Sequence, residues 1–186
     1  QTALIVYAAD AFVVTPLTDD NATIANLVPS LETDMMPAQG SRLSIALAKS
    51  LSLFEQAGVL SGDILLITDG IHSRDESAIK KISSQGHRLS IFGIGTPTGS
   101  PIPVAGGFLK DSNGAIVIPR LDVAKLQTYA LEGNGLYTSI QADDSDIEKL
   151  NRLFQSSRVE QKTDNKQHNA DIWQEEGYWL LLPLLF

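Results

Sequence analysis

The sequence predicts an α/β fold: a doubly wound, mainly parallel sheet with helices on both faces and an inserted β-hairpin. Three observations predict it. Asp63-Ile64-Leu65-Leu66-Ile67-Thr68 is an unbroken apolar run of strand length, the pattern of a strand buried on both faces. From there to Gly95 strand, helix and strand patterns alternate, the order that builds a parallel sheet. Upstream, Leu43, Ala46, Leu47, Ser50, Leu51 and Phe54 recur at intervals of three and four, which puts one mainly apolar stripe along a helix.

The remaining elements follow from local signals. Ala3–Ala8 and Ala11–Thr15 are short β-branched runs around Ala9-Asp10, a hairpin. Asp19 or Asp20 caps a helix carrying Ile24, Leu27 and Val28, which Pro29 ends by removing a donor. Gly40-Ser41 opens the long helix and Gly58 closes it. Ser73 or Asp75 caps the next, with Ala78, Ile79 and Ile82 inward and Gly86 as its stop, before a strand over 88–95. Residues 108–110 and 115–118, joined across Asp111-Ser112-Asn113-Gly114, read as the inserted hairpin. Asp122 caps a helix through Leu131, with Leu121 and Leu126 spaced as a hydrophobic staple. Residues 135–140 form an edge strand, and Ser145-x-x-Glu148 is a capping box opening a helix with Ile147, Leu150 and Phe154 inward.

Composition bounds the function. The 186 residues, 43% of them apolar, suffice for one domain with a real core. Fourteen basic against 22 acidic residues give a net charge of −8, so the footprint of a nucleic-acid binder is missing. Without cysteine there is no disulfide framework, zinc-thiolate site or thiol nucleophile. The chain opens at Gln1 directly into a strand pattern, with neither initiator Met nor leader signal, and reads as a cut. The domain is expected to occupy residues 1–157, followed by a polar linker at 158–177. Residues 178–186 carry no charge and read either as a C-terminal strand or apolar tail packing on the core or, with Trp173, Tyr178 and Trp179 as an interfacial aromatic belt, as the start of a transmembrane segment, the reading favoured.

Ligands of open parallel sheets gather outside the carboxyl ends of the strands, and Asp69 stands at such an end. The hydroxyl of Ser41 either caps its own helix or points into the same crevice. A hydroxyl and a carboxylate together suit a hard divalent cation that keeps several waters, Mg2+ or Mn2+. Other chemistry finds little support. Gly93-Ile94-Gly95-Thr96-Pro97-Thr98-Gly99 approximates a dinucleotide fingerprint, but its third glycine is late and Pro97 blocks the helix that would hold a pyrophosphate. His72 reads as a solvated loop residue, and His87 and His168 lack metal spacing. Asp143, Asp144 and Asp146 read as acids favoured by a helix start. No nucleophile elbow or phosphate loop is present.

Leu4–Phe12, Pro16–Asp20, Gln39-Gly40-Ser41, Leu66-Ile67-Thr68-Asp69-Gly70, the stretch Ile94–Pro103 and Gly107-Phe108-Leu109-Lys110-Asp111 resemble the von Willebrand factor type A domain of bacterial aerotolerance-type (Bat, BatB-like) membrane proteins. The resemblance runs from residue 1 to about 155. It implies a doubly wound domain holding a cation at a metal-ion-dependent adhesion site, where a partner's Asp or Glu completes the coordination shell. The resemblance implies a binding domain and not an enzyme. By the resemblance Asp69 and Ser41 are the metal ligands, Ser41 standing where the family usually has threonine. The family's first strand and its Asp-x-Ser-x-Ser loop are missing, so the domain is expected to be N-terminally truncated, its strand supplied by the parent protein or by another chain. Alone, it is expected to bind metal weakly or not at all. The resemblance further implies a bacterial inner-membrane setting with the domain on the periplasmic side, flanking spans, and association with other type A membrane proteins and a MoxR-type ATPase. The rival readings are a nucleotide-binding or hydrolytic enzyme using Asp69 and His72, and a structural domain whose metal site is vestigial.

Overall fold

The computed structural model describes residues 1–141, 145–152 and 154. The expected boundary at 157, the linker and the apolar segment 178–186 lie outside them. The elements below belong to one compact unit, Gln1–Leu150.

Strands β1 (Thr2–Tyr7) and β2 (Ala11–Thr18) pair antiparallel as the expected hairpin, with Tyr7 opposite Ala11. The register slips between Thr2 and Ile5, an irregularity that accommodates Pro16, which has no N–H to give the ladder. Asp20 caps helix α1 (Asn21–Leu27) by accepting from the Thr23 N–H at 3.0 Å. A 3-10 turn at Val28–Ser30 ends it at the proline. The long helix α2 (Leu43–Gln56) follows, its stripe of Leu43, Ala46, Leu47 and Phe54 buried. Strand β3 (Asp63–Thr68), helix α3 (Glu76–Ser84), strand β4 (Arg88–Gly93), helix α4 (Val123–Glu132) and strand β7 (Asn134–Ser139) form the α/β body. Between β4 and α4 lie the short strands β5 (Pro103–Val104) and β6 (Gly107–Phe108), paired antiparallel. The expected pairing beyond them survives as a bridge of Lys110 with Ile116, so two small hairpins stand where one was expected.

The sheet β3-β4-β7 is wholly parallel, with β7 at an edge as expected. Its register is pinned by Asp63 and Arg88, which stand opposite each other and pair at 2.8 Å. Along one face run Leu66, Leu89, Ile91 and Tyr137. They pack with Leu43 and Leu47 of α2, Ile79 and Ile82 of α3, and Leu126, Tyr129 and Ala130 of α4 into a single core. A parallel sheet flanked by helices is the α/β arrangement that the alternating pattern predicts.

The other face departs from expectation. Leu65 and Ile67 of β3 are 37% and 58% exposed and Leu136 of β7 is 50% exposed. The run Asp63–Thr68 signals burial on both sides, yet among the described residues only one side of it is covered. Ile147, expected inward on the helix beginning at residue 145, is also exposed.

Candidate functional site

The carboxyl ends of β1 and β3 come together although the two strands are in different sheets. Tyr7, the last residue of β1, donates its hydroxyl to the Thr68 hydroxyl at 3.3 Å. Thr68 in turn donates to the Gly70 carbonyl at 2.7 Å and accepts from the Gly70 N–H at 3.2 Å, which folds the chain sharply around Asp69. Burial holds the Tyr7 phenol above its ordinary pKa; the Thr68 hydrogen bond opposes that rise, and the nearby negative charges of Asp69 and Asp75 add to it. Tyr7 is therefore a neutral hydroxyl at physiological pH.

Ser41 reaches the same place from the other direction. The Arg42 N–H donates to the Ala8 carbonyl at 2.8 Å, tying the entry of α2 to the β1–β2 turn. Gly40, with φ +153°, lies so close to Ala9 that a Cβ would come within 3.2 Å of it, a conformation and approach that suit glycine. Ser41 does not cap α2. The cap position is held by Arg42 without any side-chain bond, and the Ser44 N–H is instead taken by the carboxylate of Asp75 at 3.0 Å.

Tyr7, Gly40, Ser41, Ile67, Thr68, Asp69 and Ile94 line one open cleft of about 410 Å³. Both candidate ligands thus face one space, with Asp69 exposed at its rim and Ser41 half-buried. Neither the Asp69 carboxylate nor the Ser41 hydroxyl has a hydrogen-bond partner among the described residues. Their oxygens fit the chemistry of a hard divalent cation. The donor set is short, since among the described residues no three His, Cys, Asp or Glu side chains cluster to hold a metal. Water and incoming oxygens would have to fill most of an octahedral shell.

The other sequence candidates lie elsewhere in function. His72 is exposed and lines no part of this cleft. His87 is buried, stacked on Phe54, with its Nδ1 accepting from the Gly62 N–H. The glycines of the Gly93–Gly99 stretch lead into a loop without a helix, as Pro97 requires. Asp146 is buried and accepts from the Gln141 N–H at 3.0 Å; Asp143 and Asp144 lie outside the described residues. Sequence reasoning missed Tyr7, Thr68 and Arg74. Tyr7 and Thr68 end two strands, and the convergence of strand ends in such sheets is the signal that would have found them.

No protein-family model matches the chain. An uncharacterised protein of Borreliella burgdorferi is 24% identical over 179 residues, covering 92% of this chain and 51% of that protein, so the chain spans about half the length of the curated relative it matches. No described helix is long and apolar enough to cross a membrane. The crystal structure of a conserved hypothetical protein BatB from Bacteroides thetaiotaomicron is 28% identical, with a TM-score of 0.73 over 83% of this chain and 77% of that one. The crystal structure of an aerotolerance-related membrane protein from Bacteroides fragilis NCTC 9343, carrying multiple mutations to serine, is 31% identical, with a TM-score of 0.72 over 83% of this chain and 78% of that one. With that identity sustained over most of both chains, the protein belongs to the family of aerotolerance-related, Bat-type membrane proteins.

Proposed function

We propose that this chain is the cation-dependent protein-binding domain, of von Willebrand type A, of a Bat-type membrane protein. Ser41 and Asp69 hold Mg2+ or Mn2+ at the cleft, and the ion's open positions accept an Asp or Glu of a protein partner. The reading rests on one observation: two oxygen-bearing side chains, distant in sequence and without protein partners among the described residues, line the same space at the ends of β1 and β3. A carboxylate-to-cation contact gives strength and direction that a solvent-screened surface ion pair lacks. The role in this reading is binding rather than turnover: Asp69 and the cleft hydroxyls hold the ion, and the ion holds the partner's carboxylate.

Two edge strands support the N-terminally truncated reading. Among the described residues β1 pairs only with β2 and β3 only with β4, while their carboxyl ends meet at Tyr7 and Thr68. A strand entering between them would join the two sheets and bring its own loop to the cleft. Without it the site is a weak one. The setting that goes with this reading is the bacterial inner membrane, the domain on the periplasmic side, with other type A membrane proteins and a MoxR-type ATPase as partners.

Water-proton relaxation with Mn2+ tests the site and detects weak binding. Enhancement that Mg2+ competes away and Asp69→Ala abolishes is expected. An Asp69→Ala chain that enhances relaxation as well as the wild type would refute the assignment.

A further inference from the structure

Asp75 is 1% exposed, and it follows Asp69 by one short turn of chain. One carboxylate oxygen accepts from the Ser44 N–H at 3.0 Å, across 31 residues of sequence. The other is buried without a hydrogen-bond partner, 4.0 Å from the Nε of Arg74. Arg74 reaches the same strand of chain from the outside, its Nη2 donating to the Ser41 carbonyl at 2.8 Å. Two adjacent residues of the loop after β3 thus grip the backbone on both sides of Arg42, one at Ser41 and one at Ser44.

A buried carboxylate is costly unless its charge is answered by donors and dipoles. Here the answer is the first turn of α2, whose free N–H groups and positive dipole end have no cap of their own. The Ser44 N–H and one Asp75 oxygen satisfy each other. The Ser41 entry loop and the Asp69 loop are therefore fixed to each other by contacts of Asp75 and Arg74, neither of which lines the cleft.

We infer that Asp75, assisted by Arg74, is the positioning residue that sets Ser41 against Asp69 and so preforms the cation cleft. The inference rests on the cation reading for its functional consequence, while the clamp itself is measurable without metal. Asp75 touches no ligand in this scheme; it acts through the backbone of Ser41 to Ser44. An asparagine retains an acceptor oxygen for the Ser44 N–H, whereas alanine removes it.

The test is amide hydrogen exchange and Mn2+-induced line broadening by NMR on the wild type, Asp75→Ala and Asp75→Asn. Without metal, Asp75→Ala is expected to speed exchange at Ser44 by about tenfold while Ile91 keeps its protection, and Asp75→Asn to restore most of the Ser44 protection. With Mn2+, wild-type broadening at Ser41 and Gly70 is expected together, and Asp75→Ala should lose it at Ser41 while keeping it at Gly70. Unchanged Ser44 exchange in Asp75→Ala, or loss of protection at Ile91 equal to that at Ser44, would overturn the clamp. Wild-type broadening that Asp75→Ala leaves intact at both positions would overturn the positioning role and leave the cation reading standing. No wild-type broadening at either residue would remove the cation reading, and the exchange result would then decide the clamp by itself.

Discussion

Phe54 of α2 and His87, just before β4, stack with ring centroids 4.7 Å apart and planes inclined by 24°. Both rings are buried, and the Gly62 N–H donates to His87 Nδ1 at 3.0 Å. Nδ1 is an acceptor only in the neutral imidazole. Burial accordingly pushes the His87 pKa below its ordinary 6.5.

Stability should therefore fall in mild acid. Between the depressed native pKa and 6.5 the unfolded chain binds the His87 proton and the native one does not, so stability rises with pH through that window and is lost as pH drops below 6.5. Urea midpoints measured from pH 7.5 to 5 check this. His87→Phe keeps the stack without a titrating ring and should flatten that part of the profile.

Gly62 is the neighbour that this packing restricts most. A Cβ there would stand 2.5 Å from the tip of the Phe54 ring, so Gly62→Ala must displace the ring from His87. A loss of about 1–3 kcal/mol is expected by denaturant unfolding, as for other overpacked cores.

The two faces of β3 should respond very differently to truncation. Leu66 is buried in the core cluster, and Leu66→Ala is expected to cost about 2–5 kcal/mol. Its neighbour Ile67, 58% exposed, should tolerate Ile67→Ser within about 0.5 kcal/mol in this chain. Paired melting curves distinguish the two. A large loss at Ile67 would mean that its face is covered.

Gly40 separates the cleft from the fold. Gly40→Ala places a side chain at φ +153° against Ala9, so it should shift Ser41 and weaken Mn2+ binding severalfold while costing about 1–2 kcal/mol of stability. Calorimetric unfolding beside Mn2+ relaxation reads both effects.

How far the sequence carries is visible in particular residues. The caps at Asp20 and Asp122 were legible because each accepts from an N–H only three residues on, a geometry that the local pattern dictates. Leu43, Leu47, Ile79, Ile82 and Leu126 were legible as core because helical spacing alone puts them on one stripe. Asp75 looked like a cap for the helix that follows it and instead serves α2, a choice made by tertiary packing and carried by no local signal. Leu65 and Ile67 mark a different boundary. Their run records a strand suited to burial on both faces, whereas exposure depends on which other segments are there to cover it. Phe108 was legible as strand, but its pairing with Pro103 was not, because a two-residue ladder is set by Gly106 at φ +92° more than by any strand periodicity.

The most direct measurement is residue-resolved NMR of the chain titrated with Mn2+, comparing wild type with Ser41→Ala and Asp69→Ala. Broadening that centres on Ser41, Asp69 and Gly70, weakens in Ser41→Ala and vanishes in Asp69→Ala is the predicted result. Broadening centred on any other group of carboxylates, with those three amides unaffected, would contradict the account.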